Sequence, residues 1–226
     1  TFQFTRDEQD NFAITSLERA RRANKDGLFL EEISPIKVKN KKEEIFFKED
    51  EQPFLSDIKK IPYLKPAFKK NGTVTAANSS SISDGASSLL LMKESNAEKR
   101  GLTPLARIIG HSTNSHKPNW FTTAPIGAIK NLFEKINWSN KDIDLYEINE
   151  AFAVVPMAAM KDIGIPHDIV NINGGACALG HPVGASGARI IATLLYAMKR
   201  NSLKKGIASL CIGGGEATAM ALEMVN

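Results

Sequence analysis

The spacing of apolar positions changes several times along the chain. Ala13, Leu17 and Ala20 recur at i, i+4 and i+7, the repeat of one helix face. Thr5 and Glu8 have capping-box spacing and Gly27 suits an exit, so a helix is predicted over 5–25. Glu32 to Val38 and Glu44 to Lys48 read as extended runs with Asn40 and lysines between them, a loose hairpin. Residues 49–72 carry three prolines and many charges and predict irregular chain. Small residues follow, TVTAANSSSISDGASS at 73–88. The continuous apolar run Leu89 to Met92 predicts a buried strand. Glu94 to Arg100 predicts a short helix ended by Gly101, and Pro104 to Gly110 a strand.

Beyond Thr123 the pattern alternates. Thr123 is placed to cap a helix with Ile126, Ile129, Phe133 and Ile136 on its apolar face. Asp144 to Ile148 predicts a strand, and Ala151 to Ile163 a mostly apolar helix with Pro156 in its first turns. Val170 to Asn173 predicts a strand, and Ser186 to Arg200 a helix with Ile190, Ile191, Leu194, Leu195 and Met198 on one broad face. Ile207 to Ile212 and Thr218 to Val225 predict strands, antiparallel across a glycine turn. Strands alternating with helices imply right-handed crossovers and a layered α/β sheet. Ligands in such sheets sit off the carboxyl ends of the strands.

Composition narrows this only a little. The chain has 226 residues, 42% hydrophobic, enough for a real core. Two cysteines are too few for a disulfide framework and point to a reducing, cytoplasmic setting. No apolar run reaches the eighteen or so residues of a membrane span, so no membrane partner is expected. The chain does not begin with Met, and a fragment or processed chain is expected. Lysines outnumber acids ten to six between Lys37 and Lys70, which equals the whole net charge of +4. That patch is either a solvated surface or a partner for a phosphate-bearing ligand; no nucleic-acid motif accompanies it.

Three stretches carry candidate chemistry, and all fall at predicted strand ends: Asn149 to Phe152, the glycine-rich run Asn171 to Arg189, and Cys211 to Gly215. Cys211 before three glycines could be a nucleophile or base beside backbone N–H donors, or an inert buried strand cysteine. His181 before Pro182 and Asn149 after a strand each have ordinary structural readings too. The glycines match neither G-x-G-x-x-G nor G-x-x-x-x-G-K-[ST], and the cysteines, 34 apart (211 minus 177), lack ligand-spaced partners, so no metal is expected. His111 and His116 read as solvated loop residues, and His167 receives no role.

NEAF at 149–152, NGGACALGHPVGASGAR at 173–189 and CIGGG at 211–215 resemble the three carboxyl-terminal motifs of the thiolases, most of all the acetyl-CoA acetyltransferases. The run TVTAANSSSISDGA at 73–86 resembles that family's coenzyme A-contacting segment. The resemblance implies half of a five-layer α-β-α-β-α fold, here a layered α/β/α unit with part of an α+β loop domain. It divides the chain into a loop-domain remainder (1–82), a segment returning to an absent amino-terminal domain (83–102) and the carboxyl-terminal domain (103–226). It implies Cys211 as acid/base at the α-carbon of the second acyl-CoA. It places His181 and Asn149 at one oxyanion hole, Gly213 as a backbone donor of a second, and Ser80 near the pantetheine. The implied reaction joins two acetyl-CoA into acetoacetyl-CoA or runs the reverse thiolysis, with coenzyme A thioesters as substrates and no other cofactor. A degradative 3-ketoacyl-CoA thiolase of broader chain length, and a non-catalytic coenzyme A-binding fragment, are the alternatives. Homodimers or homotetramers are expected. The family's nucleophilic cysteine lies in the half that these residues lack, and Cys177 does not match it, so residues 1–226 alone are expected to be inactive. Glu216 and Ala217 depart from the family, and Glu216 places a charge beside the donor turn.

Overall fold

The computed structural model describes residues 2–39 and 43–225. Helix α1 spans Arg6–Lys25. Its capping box is formed as the sequence predicts: Glu8 N–H donates to Thr5 Oγ1 (3.2 Å), and Thr5 N–H donates to the Glu8 carboxylate (2.6 Å). Strands β1 (Ile36–Lys39) and β2 (Glu44–Phe47) pair antiparallel; Asn40, Lys41 and Lys42 lie outside the described residues. A short helix α2 (Gln52–Leu55) and a 3₁₀ turn (Ile58–Tyr63) follow. The remaining elements are α3 (Glu94–Lys99), β3 (Ala106–Ser115), α4 (Ala124–Ile136), β4 (Leu145–Ile148), α5 (Val154–Ile163), α6 (Ala176–Leu179), α7 (Ser186–Arg200), β5 (Lys205–Ile212) and β6 (Glu216–Met224).

Four strands form one sheet in the order β3-β6-β5-β4. β4 and β5 are parallel, and β6 is antiparallel to both of its neighbours. Alternation along the strands supplies both faces. Tyr146, Ile148, Ile207 and Cys211 face α4 and α5, packing with Ile129, Leu132 and Val155. Leu145, Ala208 and Leu222 face α7 and meet Ile190, Leu194 and Met198. The result is the layered α/β/α unit expected. Gly206 lets α7 sit close on β5: a Cβ there would lie 2.6 Å from Met198 Sδ.

Four local expectations change. Leu89–Met92 has no regular secondary structure and joins no sheet among the described residues; Leu90 is 82% exposed, and the segment borders a groove of about 980 Å³ against α7 and β6. Val170–Asn173 makes only an isolated bridge, Val170 to Tyr146, because Asn171 turns left-handed at φ 47°. β3 runs five residues beyond Gly110, since the polar stretch His111–Ser115 pairs with β6 along an edge that tolerates solvent. His111 is therefore a strand residue, and His116 holds its ring Nε2 2.8 Å from Trp120 O. Thr123 does not cap α4; its hydroxyl donates to Trp120 O (2.9 Å), and a 3₁₀ turn leads into the helix.

An ionisable side chain is buried inside the sheet–helix layer. Glu147 of β4 is 1% exposed, and its carboxylate lies 3.9 Å from Arg189 of α7. Burial is the largest influence on it and pushes its pKa up to about 8, Arg189 acting in the opposite sense. Between the ordinary value of 4.5 and about 8 the folded protein holds a proton that the unfolded chain has released. Stability contributed by this group is therefore complete at low pH and declines as pH rises through that window. Urea midpoints at pH 5 and pH 8 should show this loss, and Glu147→Gln should reduce it. Burial raises Glu32 in the same sense, to about 7, so part of the slope persists in the variant.

Candidate active site

The parallel pairing of β4 with β5 brings two of the sequence motifs to one sheet edge. Ile148 sits opposite Ser209, and Asn149 N–H donates to Ser209 O (2.9 Å), which places Asn149 just past β4 and Cys211 near the end of β5. The segment from Thr75 to Ile82 runs between the other motifs and is stitched to both. Ser80 N–H donates to Ala151 O (3.0 Å), Ala153 N–H to Asn78 O (2.9 Å), and His181 N–H to Ser81 O (3.1 Å). These bonds carry His181 to Asn149: Asn149 Nδ2 lies 3.4 Å from His181 Nε2.

His181 is oriented from its other side. Ser186, in the first turn of α7, places Oγ 2.5 Å from His181 Nδ1 and donates to Pro182 O (3.0 Å). The tautomer that suits both contacts carries its proton on Nδ1 and leaves Nε2 as an acceptor toward Asn149. Burial, then the Arg189 charge, lowers the His181 pKa, so the ring is neutral near pH 7. The Asn149 side chain is buried, and its Oδ1 has no hydrogen-bond partner among the described residues. The pair therefore leaves the Asn149 amide oxygen and one amide hydrogen with unused capacity at the strand ends.

Cys211 lies at the same edge, buried at 7% exposure, and makes no hydrogen bond to Asn149 or His181 among the described residues. Burial pushes its thiol up to about 11, so it is protonated at rest, contrary to the lowered pKa considered for a nucleophile. Glu216 is not among the causes of that shift; its carboxylate rests against Gly214, where an added Cβ would meet Oε2 at 2.6 Å. Gly213 occupies the β5–β6 turn, and a Cβ there would meet nothing within 4 Å. Ser80 directs its hydroxyl at Ala151 O (3.1 Å), so its donor is already committed. Phe121, Phe152 and Phe68 form an aromatic cluster beside the NEAF turn, with ring centroids 6.1 and 6.2 Å apart.

The family model described as "Thiolase, C-terminal domain" matches residues 102–224. The chain belongs to the thiolase family. The "Thiolase, N-terminal domain" model matches residues 1–95, so this thiolase chain holds parts of both domains rather than the carboxyl-terminal one alone. An acetyl-CoA acetyltransferase of Rhizobium meliloti is 48% identical over 98% of the chain and 57% of its own length. The crystal structure of the Bacillus anthracis acetyl-CoA acetyltransferase superposes with a TM-score of 0.96 at 44% identity, over 99% of this chain and 57% of that one. An Ascaris suum thiolase in complex with coenzyme A gives 0.88 at 38% identity, covering 98% and 56%. The thiolase chain thus spans little more than half the length of the relatives it matches.

The reading of single letters missed Ser186, Asn171, Ser16 and Glu150. Ser186 had a signal, a hydroxyl one turn beyond a histidine at a helix start. Glu150 had one too, an acid directly after a strand that is buried on both faces.

The thiol's state yields a measurable expectation. In a Cys177→Ser background, iodoacetamide should label Cys211 more slowly than a model thiol at pH 7.5, with the rate climbing toward pH 11. Faster labelling than the model thiol at neutral pH would contradict the burial-raised pKa.

Proposed function

We propose that this chain supplies the proton-transfer and oxyanion-binding part of a thiolase active site. The activity is acetyl transfer between coenzyme A thioesters: two acetyl-CoA to acetoacetyl-CoA, or the reverse. The observation that carries this reading is the meeting of Asn149 and His181 at the strand ends beside Cys211, three segments far apart in sequence. A thioester α-proton is weakly acidic, so its removal requires donors fixed around the enolate oxygen and a base at the carbon.

In this reading Cys211 Sγ exchanges the proton with the α-carbon. The Asn149 amide N–H holds the thioester oxygen, joined by His181 Nε2–H once the ring has taken up a proton, through a water where distance requires one, and the Gly213 N–H serves a second oxyanion position. Ser80 and the small-residue run line the pantetheine arm. The excess positive charge between Lys37 and Lys70 is the partner for the ADP phosphates, and the aromatic cluster bounds the acyl group. The names of the compared acetyl-CoA acetyltransferases favour acetyl transfer over longer chains.

Cys177 is a poor candidate for the acyl-carrying nucleophile. It is buried, its Sγ lies 3.7 Å from Glu150 O, and burial keeps its pKa well above the ordinary thiol value. The acyl-carrying cysteine therefore belongs to a part of the thiolase length outside residues 1–226, and so does the cover of the apolar groove beside Leu89–Met92. Self-association into dimers or tetramers accompanies that assembly.

Thiolysis of acetoacetyl-CoA tests the assignment. Residues 1–226 alone should show no transfer. A chimera with the amino-terminal part of the Rhizobium meliloti relative should be active. Cys211→Ser in that chimera should lower kcat by about 10²–10⁴-fold, the usual worth of a positioned acid/base. A folded chimera whose turnover is indifferent to Cys211→Ser would remove the role given to this thiol.

A further inference from the structure

Glu150 follows Asn149 directly and is fully buried. Three segments reach its carboxyl group, each with a donor whose hydrogen has no other destination. Asn171 Oδ1 accepts from Ile148 N–H (2.8 Å), so its other terminal atom is the amide nitrogen. That nitrogen gives one hydrogen to Ile148 O (2.8 Å) and the second to Glu150 Oε1 (2.8 Å). Ser16 Oγ accepts from Gly175 N–H (2.9 Å), and its hydroxyl donates to Glu150 Oε2 (2.7 Å), its one acceptor among the described residues. Cys177 N–H donates to the same oxygen (3.1 Å). Burial raises the Glu150 pKa and these three donors oppose it; a carboxylate accepts all three, whereas a carboxyl hydrogen would find only donors among these contacts.

The same contacts determine where the two candidate site residues stand. Gly175 is the N-cap of α6 and has no side chain to cap it, so Glu150 supplies the acceptor for the free N–H of Cys177. Gly175 is required there, because a Cβ would fall on the Glu150 carboxyl group. α6 ends at Leu179, two residues before His181. Asn149 stands on one side of this anion, the segment leading to His181 on the other.

We propose that Glu150 is held as a carboxylate and is the positioning residue that locks Asn149 and His181 into one geometry, with Ser16 of α1 linking it to the glycine loop. Its effect on turnover rests on the thioester reading above; its effect on the His181 ring does not. In Glu150→Gln the amide oxygen keeps Ser16 and Cys177, and the new NH₂ faces the NH₂ of Asn171.

The test reads the ¹⁵N signals of the His181 ring beside thioester turnover in the active chimera and its variants. Glu150→Gln should shift the ring signals and lower kcat by about 100-fold with KM little changed. Ser16→Ala should move the same signals in the same direction. A Glu150→Gln protein that melts earlier but keeps the wild-type His181 signals overturns the proposal. If Glu150→Gln does not fold, Ser16→Ala decides, and unmoved ring signals overturn it. A wild-type chimera without thioester turnover defeats the functional reading, while the ring signals still decide the role of Glu150.

Discussion

A carboxylate removed from water must find its hydrogen bonds inside the protein, and that requirement organises this molecule. The Glu150 carboxyl gathers a hydroxyl from α1, an amide from the turn after Val170 and a backbone N–H from α6. Left without them, a buried charge would cost several kcal/mol. The three segments are more than a hundred residues apart at the extremes, so satisfying one group closes a long loop of chain. The strand ends beside it are thereby pinned, with Asn149 as its sequence neighbour.

Arginines of α1 repeat the principle with the opposite sign. Arg19 donates to Val170 O (2.7 Å) and His167 O (3.0 Å), Arg22 to Ile172 O (2.8 Å), Arg21 to Pro53 O (2.8 Å), and Arg6 to Leu64 O (2.9 Å). Each guanidinium captures carbonyls from loops or from short helical turns whose own ladders are incomplete. Helix α1 is therefore a frame for loops as well as a core element. Its small residues serve the same end: Gly174, at φ 81°, comes so close that a Cβ would lie 2.7 Å from Ala20 Cβ.

Elements with a clean period were legible in the sequence. The capping box of α1, the apolar faces of α4 and α7, and β5 with β6 all follow from residue spacing, because local geometry and burial agree there. Three glycine-rich or strand-end motifs were legible as candidates, and Asn149 and His181 do meet. Where tertiary bonds replace regular ladders, spacing was silent. Asn171 looks like one more residue of an apolar strand. Its side-chain amide instead bonds both N–H and C=O of Ile148, taking the place of a backbone neighbour. Leu89–Met92 looks like a core strand because its letters are apolar; whether such a run is covered depends on chain that packs against it, which composition does not encode.

The protonated state of Cys211 bears on how the proposed chemistry is run. Proton transfer is most efficient when donor and acceptor differ little in acidity, and a carbon acid beside a thioester is far weaker than an ordinary thiol. Burial that raises the thiol to about 11 narrows that gap. It also keeps the proton on sulfur at rest, ready to be given to an enolate when a carbon–carbon bond is cleaved. In the condensing direction the sulfur must first lose that proton, and the neutral imidazole of His181 is a base at the same sheet edge. The apolar wall that makes Cys211 an unreactive thiol toward solvent is then the feature that matches it to a carbon acid, and the donors around Asn149 and His181 supply the remaining stabilisation at the oxygen.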